Sequence, residues 1–203
     1  MKKIGIINYG LGNLFSIKSA CAQVGMNGIL VDEQKDLLNS DAIILPGVGA
    51  FNVAMDKIKK KKLNIFIKEF VKTNKPIIGI CLGMQLFFDK SYENISTEGL
   101  GLIQGEVKFF NLSSSLNIGW YPIKKKRDEK ILNSIKNLSH MYFVHSYYCD
   151  PKDKNNILSI SNFSNIDFCS SIKSKNIYGF QFHPEKSGEN GLKIYQNLKD
   201  LLY

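Results

Sequence analysis

The first ninety residues alternate short apolar runs with longer stretches of helical spacing. Apolar runs typical of buried strands occur at 3–8, 29–32, 41–45 and 75–80, and helix-compatible stretches lie at 13–24, 53–60 and 63–73. Parallel strands need crossover connections, and strands that alternate with helices build a sheet covered on both faces. The order of these elements predicts an α/β fold with an open, mostly parallel sheet flanked by helices.

The second half of the chain has a different pattern. Short strand candidates separated by turn residues occur at 107–110, 121–124, 142–148, 157–161, 168–173 and 178–182. A last helix is expected at 190–202, where Leu192, Tyr195, Leu198 and Leu202 recur at helical spacing. We expect antiparallel strands added to the sheet, and one domain formed by residues 1–203.

Composition excludes several classes of protein. No apolar run approaches the roughly 20 residues that span a bilayer, and no signal-peptide pattern follows Lys2 and Lys3, so we expect a cytoplasmic protein without a membrane partner. The net charge of +9 comes largely from lysine runs such as 59–62 and 124–126. These runs lack the interleaved aromatic residues of nucleic-acid sites, so solvated faces are expected, with attraction of an anionic substrate or an acidic partner as the alternative.

The four cysteines show no pairing pattern. Cys21, Cys81, Cys149 and Cys169 form no C-x-x-C motif and have no metal-ligand spacing, so neither disulfides nor a metal site is expected.

Cys81 stands out because it lies between two glycines where a buried strand gives way to a helix. The strand at 75–80 precedes it, and a helix is expected at 83–90. Gly79 and Gly83 tolerate unusual backbone angles and let neighbouring segments approach closely, as in a nucleophile elbow. We expect the thiol to be exposed at a helix N-terminus, where the helix dipole favours the thiolate. The alternative is an inert, packed cysteine.

A nucleophilic cysteine needs a base, and His183 and Glu185 form the candidate pair. An imidazole accepts the thiol proton, and a carboxylate orients the imidazole. In an extended segment, side chains two positions apart point the same way, and Pro184 biases His183 toward extended geometry. Because Cys81 and His183 lie far apart in the sequence, only the fold can bring them together.

Three segments carry a resemblance to a known family. Cys81-Leu82-Gly83-Met84-Gln85 and Phe182-His183-Pro184-Glu185 resemble the two motifs of the class I, or triad, glutamine amidotransferases. A third segment, Leu45-Pro46-Gly47-Val48-Gly49-Ala50-Phe51, is similar to the oxyanion strand of that family. The resemblance implies a flavodoxin-like fold and hydrolysis of glutamine by a Cys81–His183–Glu185 triad without a cofactor.

Further segments resemble one branch of this family, the glutaminase subunits of imidazole glycerol phosphate synthases. They are Asn8 to Leu14, Gly99 to Gly105, and His183 to Gly188. The resemblance implies a heterodimer with a cyclase subunit, a (β/α)8 barrel that uses the ammonia in histidine biosynthesis. Asn8 and the run Gly119-Trp120-Tyr121-Pro122 depart from that branch, which keeps a related barrel partner in surface-sugar biosynthesis as an alternative.

The resemblance also implies roles for other residues. The backbone N–H groups near Val48 and at Leu82 are expected to hold the oxyanion. Gly49, Gln85 and Glu93, with the backbone around Ser146 and Tyr147, are expected to bind glutamine. Asn13 is expected either at the partner interface or as a helix N-cap. A stand-alone cysteine hydrolase and a basic binding module are the alternatives from other classes.

Overall fold

The computed structural model describes residues 1–112 and 115–203 and contains three β-sheets. Its helices are α1 (Leu14–Gln23), α2 (Gln34–Leu38), α3 (Phe51–Lys60), α4 (Leu63–Val71), α5 (Leu82–Gln85) and α6 (Gly188–Asp200), and short 3-10 helices lie at Lys130–Leu132, Lys154–Asn156 and Pro184–Lys186. Its strands are β1 (Lys3–Ile7), β2 (Asn27–Val31), β3 (Ala42–Leu45), β4 (Ile77–Ile80), β5 (Phe88–Ser91), β6 (Thr97–Glu98), β7 (Ile103–Phe109), β8 (Asn117–Pro122), β9 (Lys124–Lys125), β10 (His140–His145), β11 (Tyr147–Pro151), β12 (Ile157–Phe163), β13 (Ile166–Ser174) and β14 (Ile177–Phe180).

The main sheet has the strand order β2-β1-β3-β4-β14-β13-β12-β9. Its first five strands pair in parallel, and the last three are added antiparallel. The prediction of an open, mostly parallel sheet with antiparallel additions from the second half is therefore confirmed. Two smaller sheets, β10-β8 and β11-β7-β5-β6, stand beside it.

Alternate residues of the parallel strands build two cores, one on each face of the main sheet. Ile4 and Ile6 pack with residues of α1 and α6, whereas Ile43 and Leu45 pack with residues of α3 and α4. Because successive side chains of a strand point to opposite faces, a strand covered on both sides must be apolar throughout. This requirement explains the apolar runs of the first half.

The predicted helix at 83–90 is wrong beyond its first turn. Helix α5 ends at Gln85, and Phe88 begins β5, which belongs to a different sheet. The carbonyl of Leu86 accepts from the backbone N–H of Leu100, and the carbonyl of Phe87 accepts from the N–H groups of Leu102 and Ile103. Long-range backbone bonds thus replace those that would continue the helix.

The predicted strand at 142–148 is also wrong as one element. It divides at Ser146 into β10 and β11, which belong to different sheets, and the carbonyl of Ser146 accepts from the N–H of Phe110. The short helix α2 was not predicted. The last helix is confirmed, although α6 begins two residues earlier, at Gly188. Within the described ranges, no helix is long and apolar enough to cross a membrane.

Candidate active site

Cys81 occupies a sharp turn between β4 and α5. Its backbone lies at φ 52° and ψ −112°, in a region that non-glycine residues rarely adopt. The turn is held because the N–H of Cys81 donates to the carbonyl of Phe180, and its own carbonyl accepts from Met84 and Gln85. A strained backbone at a chain reversal that its surroundings over-determine is typical of a functional residue.

The two flanking glycines allow close packing. The unusual backbone angles of the turn belong to Cys81 itself and not to the glycines. A Cβ atom at Gly79 would lie 2.5 Å from a ring carbon of Phe87 and 2.7 Å from the carbonyl oxygen of Gly83. A Cβ atom at Gly83 would collide with the carbonyl oxygen of Leu45, at the end of β3. The glycines therefore bring the elbow against the segment that follows β3, as their spacing predicted.

The thiol is less accessible than expected. Cys81 lies at the N-terminus of α5, as predicted, but it is 6% exposed, so the predicted exposure of the thiol is wrong. Two groups face the sulfur at 3.7 Å: the carbonyl oxygen of Val144 accepts from the thiol, and the side-chain amide of Gln181 donates to the sulfur.

His183 and Glu185 form a buried pair beside this cysteine. Their side chains are 2% and 1% exposed, and Nδ1 of His183 lies 2.8 Å from Oε1 of Glu185. His183 itself is extended, as predicted, but the extended segment ends there, because a 3-10 turn at Pro184–Lys186 brings Glu185 to the imidazole. Ser187 stabilises that turn by donating its hydroxyl to the carbonyl of His183.

The charges around His183 favour the imidazolium that forms when His183 takes the thiol proton of Cys81. Burial acts to lower its pKa, but the negative charges of Cys81 and Glu185 outweigh burial and raise the pKa of His183 to about 10. Nε2 of His183 is buried and lacks a hydrogen-bond partner among the described residues. With Nδ1 committed to Glu185, Nε2 is the atom that can take the thiol proton.

A pocket of about 390 Å³ opens at the sulfur of Cys81. It gathers residues from four separate parts of the chain: Val48, Gly49, Cys81, Leu82, Gln85, Glu93, Val144, His145, Ser146 and Tyr147. The structure therefore brings together around one cavity every residue expected to hold the oxyanion or bind glutamine. His183 and Glu185 do not line it; Glu185 instead lines a second hollow of about 220 Å³ beside α1.

The turn from Pro46 to Gly49 forms one wall of the pocket. The buried hydroxyl of Tyr9 donates to the carbonyl of Pro46 at 2.7 Å and holds the base of this turn. Gly49 has φ 96° with open space around it, and Val48 is 41% exposed. Across the pocket, Leu82 is the first residue of α5, so its N–H has no partner within the helix.

The side chain of Gln85 is fixed by two protein acceptors. Its Nε2 donates to the carbonyl of Tyr147 at 2.9 Å and to Oε1 of Gln181 at 3.2 Å. The carbonyl of Tyr147 also accepts from Nδ1 of His145 at 2.8 Å, and burial lowers the pKa of His145 to about 3, so this imidazole is neutral. Gln85 is thus left with its oxygen, an acceptor, for a ligand.

Glu93 accepts from the backbone N–H of Phe51 at 2.7 Å, which places its carboxylate at the N-terminus of α3. Burial raises the pKa of Glu93, and this hydrogen bond opposes the shift. Asn13 lies at the N-terminus of α1 without a side-chain capping bond, and it does not line the pocket. Asn13 therefore occupies the N-cap position of α1, as one alternative predicted, but its side chain does not cap the helix.

Sequence reasoning missed three residues of the site: Tyr9, His145 and Gln181. Tyr9 lies inside a segment that carried the resemblance and Gln181 lies directly before one, but only contacts across the fold show what their side chains touch. The four cysteines are buried free thiols. The described part of the chain holds no group of three or more histidine, cysteine or acidic side chains that could bind a metal ion.

Known proteins resemble this chain over nearly its whole length. A family model for class I glutamine amidotransferases matches residues 6–199. The chain is 42% identical over 201 residues to imidazole glycerol phosphate synthase subunit HisH of Bacillus cytotoxicus, covering 98% of this chain and 95% of the relative. It is 39% identical to the HisH subunit of Pyrococcus furiosus, covering 99% and 100%.

Solved structures agree on the fold. The PurLQS structure from Thermotoga maritima superposes with a TM-score of 0.80 at 19% identity, covering 100% of this chain and 99% of that one. The glutaminase domain of CTPS from Trypanosoma brucei, solved with bound acivicin, gives a TM-score of 0.71 at 15% identity, covering 100% and 94%. On the family match and on the identities to its relatives, this chain belongs to the class I glutamine amidotransferases.

Proposed function

We propose that this chain is the glutaminase subunit of an imidazole glycerol phosphate synthase. It hydrolyses glutamine to glutamate and passes the ammonia to a cyclase subunit, which makes imidazole glycerol phosphate and an aminoimidazole carboxamide ribotide in histidine biosynthesis. The observation that carries the proposal is the strained Cys81 in the wall of a pocket, next to a buried His183–Glu185 pair. Identities of 39 to 42% to HisH subunits over nearly the whole chain support the pathway.

The triad supplies the chemistry in two steps. Cys81 transfers its proton to Nε2 of His183 and attacks the side-chain carbonyl carbon of glutamine, and the imidazolium then protonates the departing ammonia. Water attacks the resulting thioester, which releases glutamate and restores the thiol. Glu185 keeps Nδ1 protonated throughout, because its Oε1 accepts the Nδ1–H bond.

The oxyanion that forms in each step needs donors on the pocket wall. The N–H of Leu82 is unpaired within α5, and the N–H of Val48 lies on the opposite turn; each such donor typically contributes about 3 to 4 kcal/mol. Gly49, at φ 96° in open space, lets the Val48 peptide rotate. We propose that docking of the partner orients this peptide and thereby activates glutamine hydrolysis.

The remaining pocket groups match the two ends of free glutamine. Glu93 offers a carboxylate and Gln85 offers its side-chain oxygen, and both suit the α-ammonium group. The carbonyls of Ser146 and Tyr147 are already engaged within the protein, so this corner offers N–H donors, which suit the α-carboxylate. A basic chain also attracts anions through its overall field.

Ammonia released into water is protonated and lost to the reaction, so the glutaminase requires a partner over the site. Phe15, beside the hollow that Glu185 lines, is 84% exposed, and Trp120 is 53% exposed. Trp120 packs edge-to-face against Tyr142, and the ring of Tyr142 lies 6.5 Å from that of His183. We propose that the cyclase, a (β/α)8 barrel, covers this apolar surface as the second subunit of a heterodimer, with Asn13 at its edge.

The decisive assay is glutamate release from glutamine by the purified chain, alone and co-expressed with the cyclase subunit. We expect turnover that rises with the cyclase and disappears in Cys81→Ala. Cys21→Ala makes the same change in α1 and should keep the turnover. Cys81-dependent turnover with a surface-sugar barrel partner, and none with the cyclase, would move the chain to that pathway. Equal turnover with and without partner would indicate a stand-alone hydrolase.

A further inference from the structure

Gln181 lies between the nucleophile and a substrate-binding residue, in a place that the triad mechanism does not use. It follows β14 directly, is fully buried, and is anchored by its backbone N–H to the carbonyl of Ser170. Its side-chain amide contacts Cys81 at one end and Gln85 at the other: Nε2 lies 3.7 Å from the sulfur, and Oε1 lies 3.2 Å from Nε2 of Gln85.

The orientation of this amide follows from its neighbours. The carbonyl of Tyr147 can only accept, so the atom of Gln85 that faces it must be the nitrogen. That same nitrogen faces Gln181, so the atom of Gln181 that meets it must be the oxygen. The NH₂ group of Gln181 is therefore turned toward Cys81, where it can only donate.

We propose that Gln181 is a further catalytic residue, whose side-chain amide donates a hydrogen bond to the sulfur of Cys81 and stabilises the thiolate. A hydrogen bond given to the charged form of an acid favours that form, whereas a neutral thiol is a weak acceptor and gains little. On the other side, the carbonyl of Val144 accepts from the S–H group and favours the thiol. Gln181 thus favours loss of the thiol proton of Cys81, whereas the carbonyl of Val144 favours its retention.

This role rests on the proposed function, since it concerns the same nucleophile, but it can be measured without glutamine. The rate at which iodoacetamide alkylates Cys81 follows the fraction of the sulfur that is thiolate. The midpoint of the plot of this rate against pH therefore reports how easily the thiol loses its proton. Alkylation at Cys81 is followed by mass spectrometry of the peptide that contains it, which separates it from the three other cysteines.

Replacing Gln181 with methionine removes the donor while keeping the length of the side chain. In Gln181→Met the midpoint is expected to rise by about one pH unit, a roughly tenfold smaller thiolate fraction below the midpoint. Gln196→Met makes the same change on the exposed face of α6 and should leave the midpoint unchanged. A Gln181→Met protein that has the melting temperature and the alkylation midpoint of the native protein would overturn the proposal.

Other ionisable groups near the sulfur are the same in native protein and variant. The ionisable groups coupled electrostatically to Cys81 include His183, Tyr9 and Cys149, and Gln181→Met changes none of them. A shift in the midpoint therefore reports the lost amide.

Gln85→Met tests the proposal if Gln181→Met does not fold. It removes the N–H that holds the oxygen of Gln181, so the amide is free to turn and the midpoint is expected to rise, by less than one unit. An unchanged midpoint in this folded variant would overturn the proposal. The proposed function fails on a different result, the absence of Cys81-dependent glutamate release, so the two failures are distinguishable.

Discussion

Replacing Gly47 with alanine tests whether close packing of the oxyanion turn against the nucleophile elbow supports catalysis. A Cβ atom at Gly47 would lie 2.7 Å from Cβ of Leu82, 2.8 Å from the backbone nitrogen of Gly83 and 2.9 Å from the hydroxyl of Tyr9. An ordinary contact begins near 3.4 Å, so the two segments must separate by about 0.7 Å. The backbone of Gly47 does not need a positive φ, so the effect is steric.

Two quantities should change in Gly47→Ala. Overpacking of this kind costs about 1 to 3 kcal/mol in the free energy of unfolding, which lowers the melting temperature of a chain of this size by roughly 2 to 12 °C. The displacement moves the Val48 N–H relative to the sulfur of Cys81, and a misplacement of up to about 1 Å lowers kcat/KM for glutamine by on the order of 10- to 100-fold.

The assay is glutamate release by the complex with the cyclase, together with thermal unfolding. Gly28→Ala is the matched control. Gly28 lies in β2, an edge strand of the main sheet, and its Cβ would lie 3.2 Å from the flexible end of Ile6 and 3.3 Å from Cβ of Cys21, which is less crowded than at Gly47. We expect near-native turnover in the control. A Gly47→Ala variant that loses stability but keeps native kcat/KM would refute the reasoning that this contact positions the oxyanion donor.

Three further perturbations test other parts of the site. Glu185→Gln should lower kcat about 10³- to 10⁴-fold, because the amide no longer holds the catalytic imidazole in its working tautomer. Glu189→Gln on α6 should leave kcat unchanged, and steady-state kinetics of glutamate release measure both variants. Tyr9→Phe leaves the Pro46 carbonyl without its donor and should cost about 1 to 3 kcal/mol in urea unfolding; no loss would contradict this role. The folded state holds the pKa of His145 at about 3, so unfolding takes up a proton below pH 6.5. The free energy of unfolding should therefore fall as the pH drops, by up to about 1.4 kcal/mol per pH unit. His145→Gln should make this fall less steep.

Local sequence determined the elements whose cause is local. The buried strand before Cys81, the glycines on either side of it and the proline after His183 each limit the backbone within a few residues, so the sequence alone predicts the position of the elbow. The same holds for α6, whose apolar stripe is long enough to distinguish a helix from a strand. The resemblance of three motifs then supplied the residues that line one pocket.

Prediction failed where distant backbone decides the conformation. The run from Leu86 to Phe88 is apolar and short, so its pattern suits a helix and a strand equally, and bonds to Leu100 and Ile103 select the strand. Ser146 divides a continuous β-like run because its carbonyl pairs with Phe110 and its neighbours join two different sheets.

The sequence by itself determined the fold class and the triad chemistry. The apolar runs that alternate with helix-compatible stretches, and the residue types of the triad, are properties of single segments. The tertiary structure alone decided the burial of the thiol, the 3-10 turn that brings Glu185 to His183, and the contact of Gln181 with the sulfur of Cys81. The physical reason is that burial, charge and hydrogen-bond partners depend on groups that the chain brings together only when it folds.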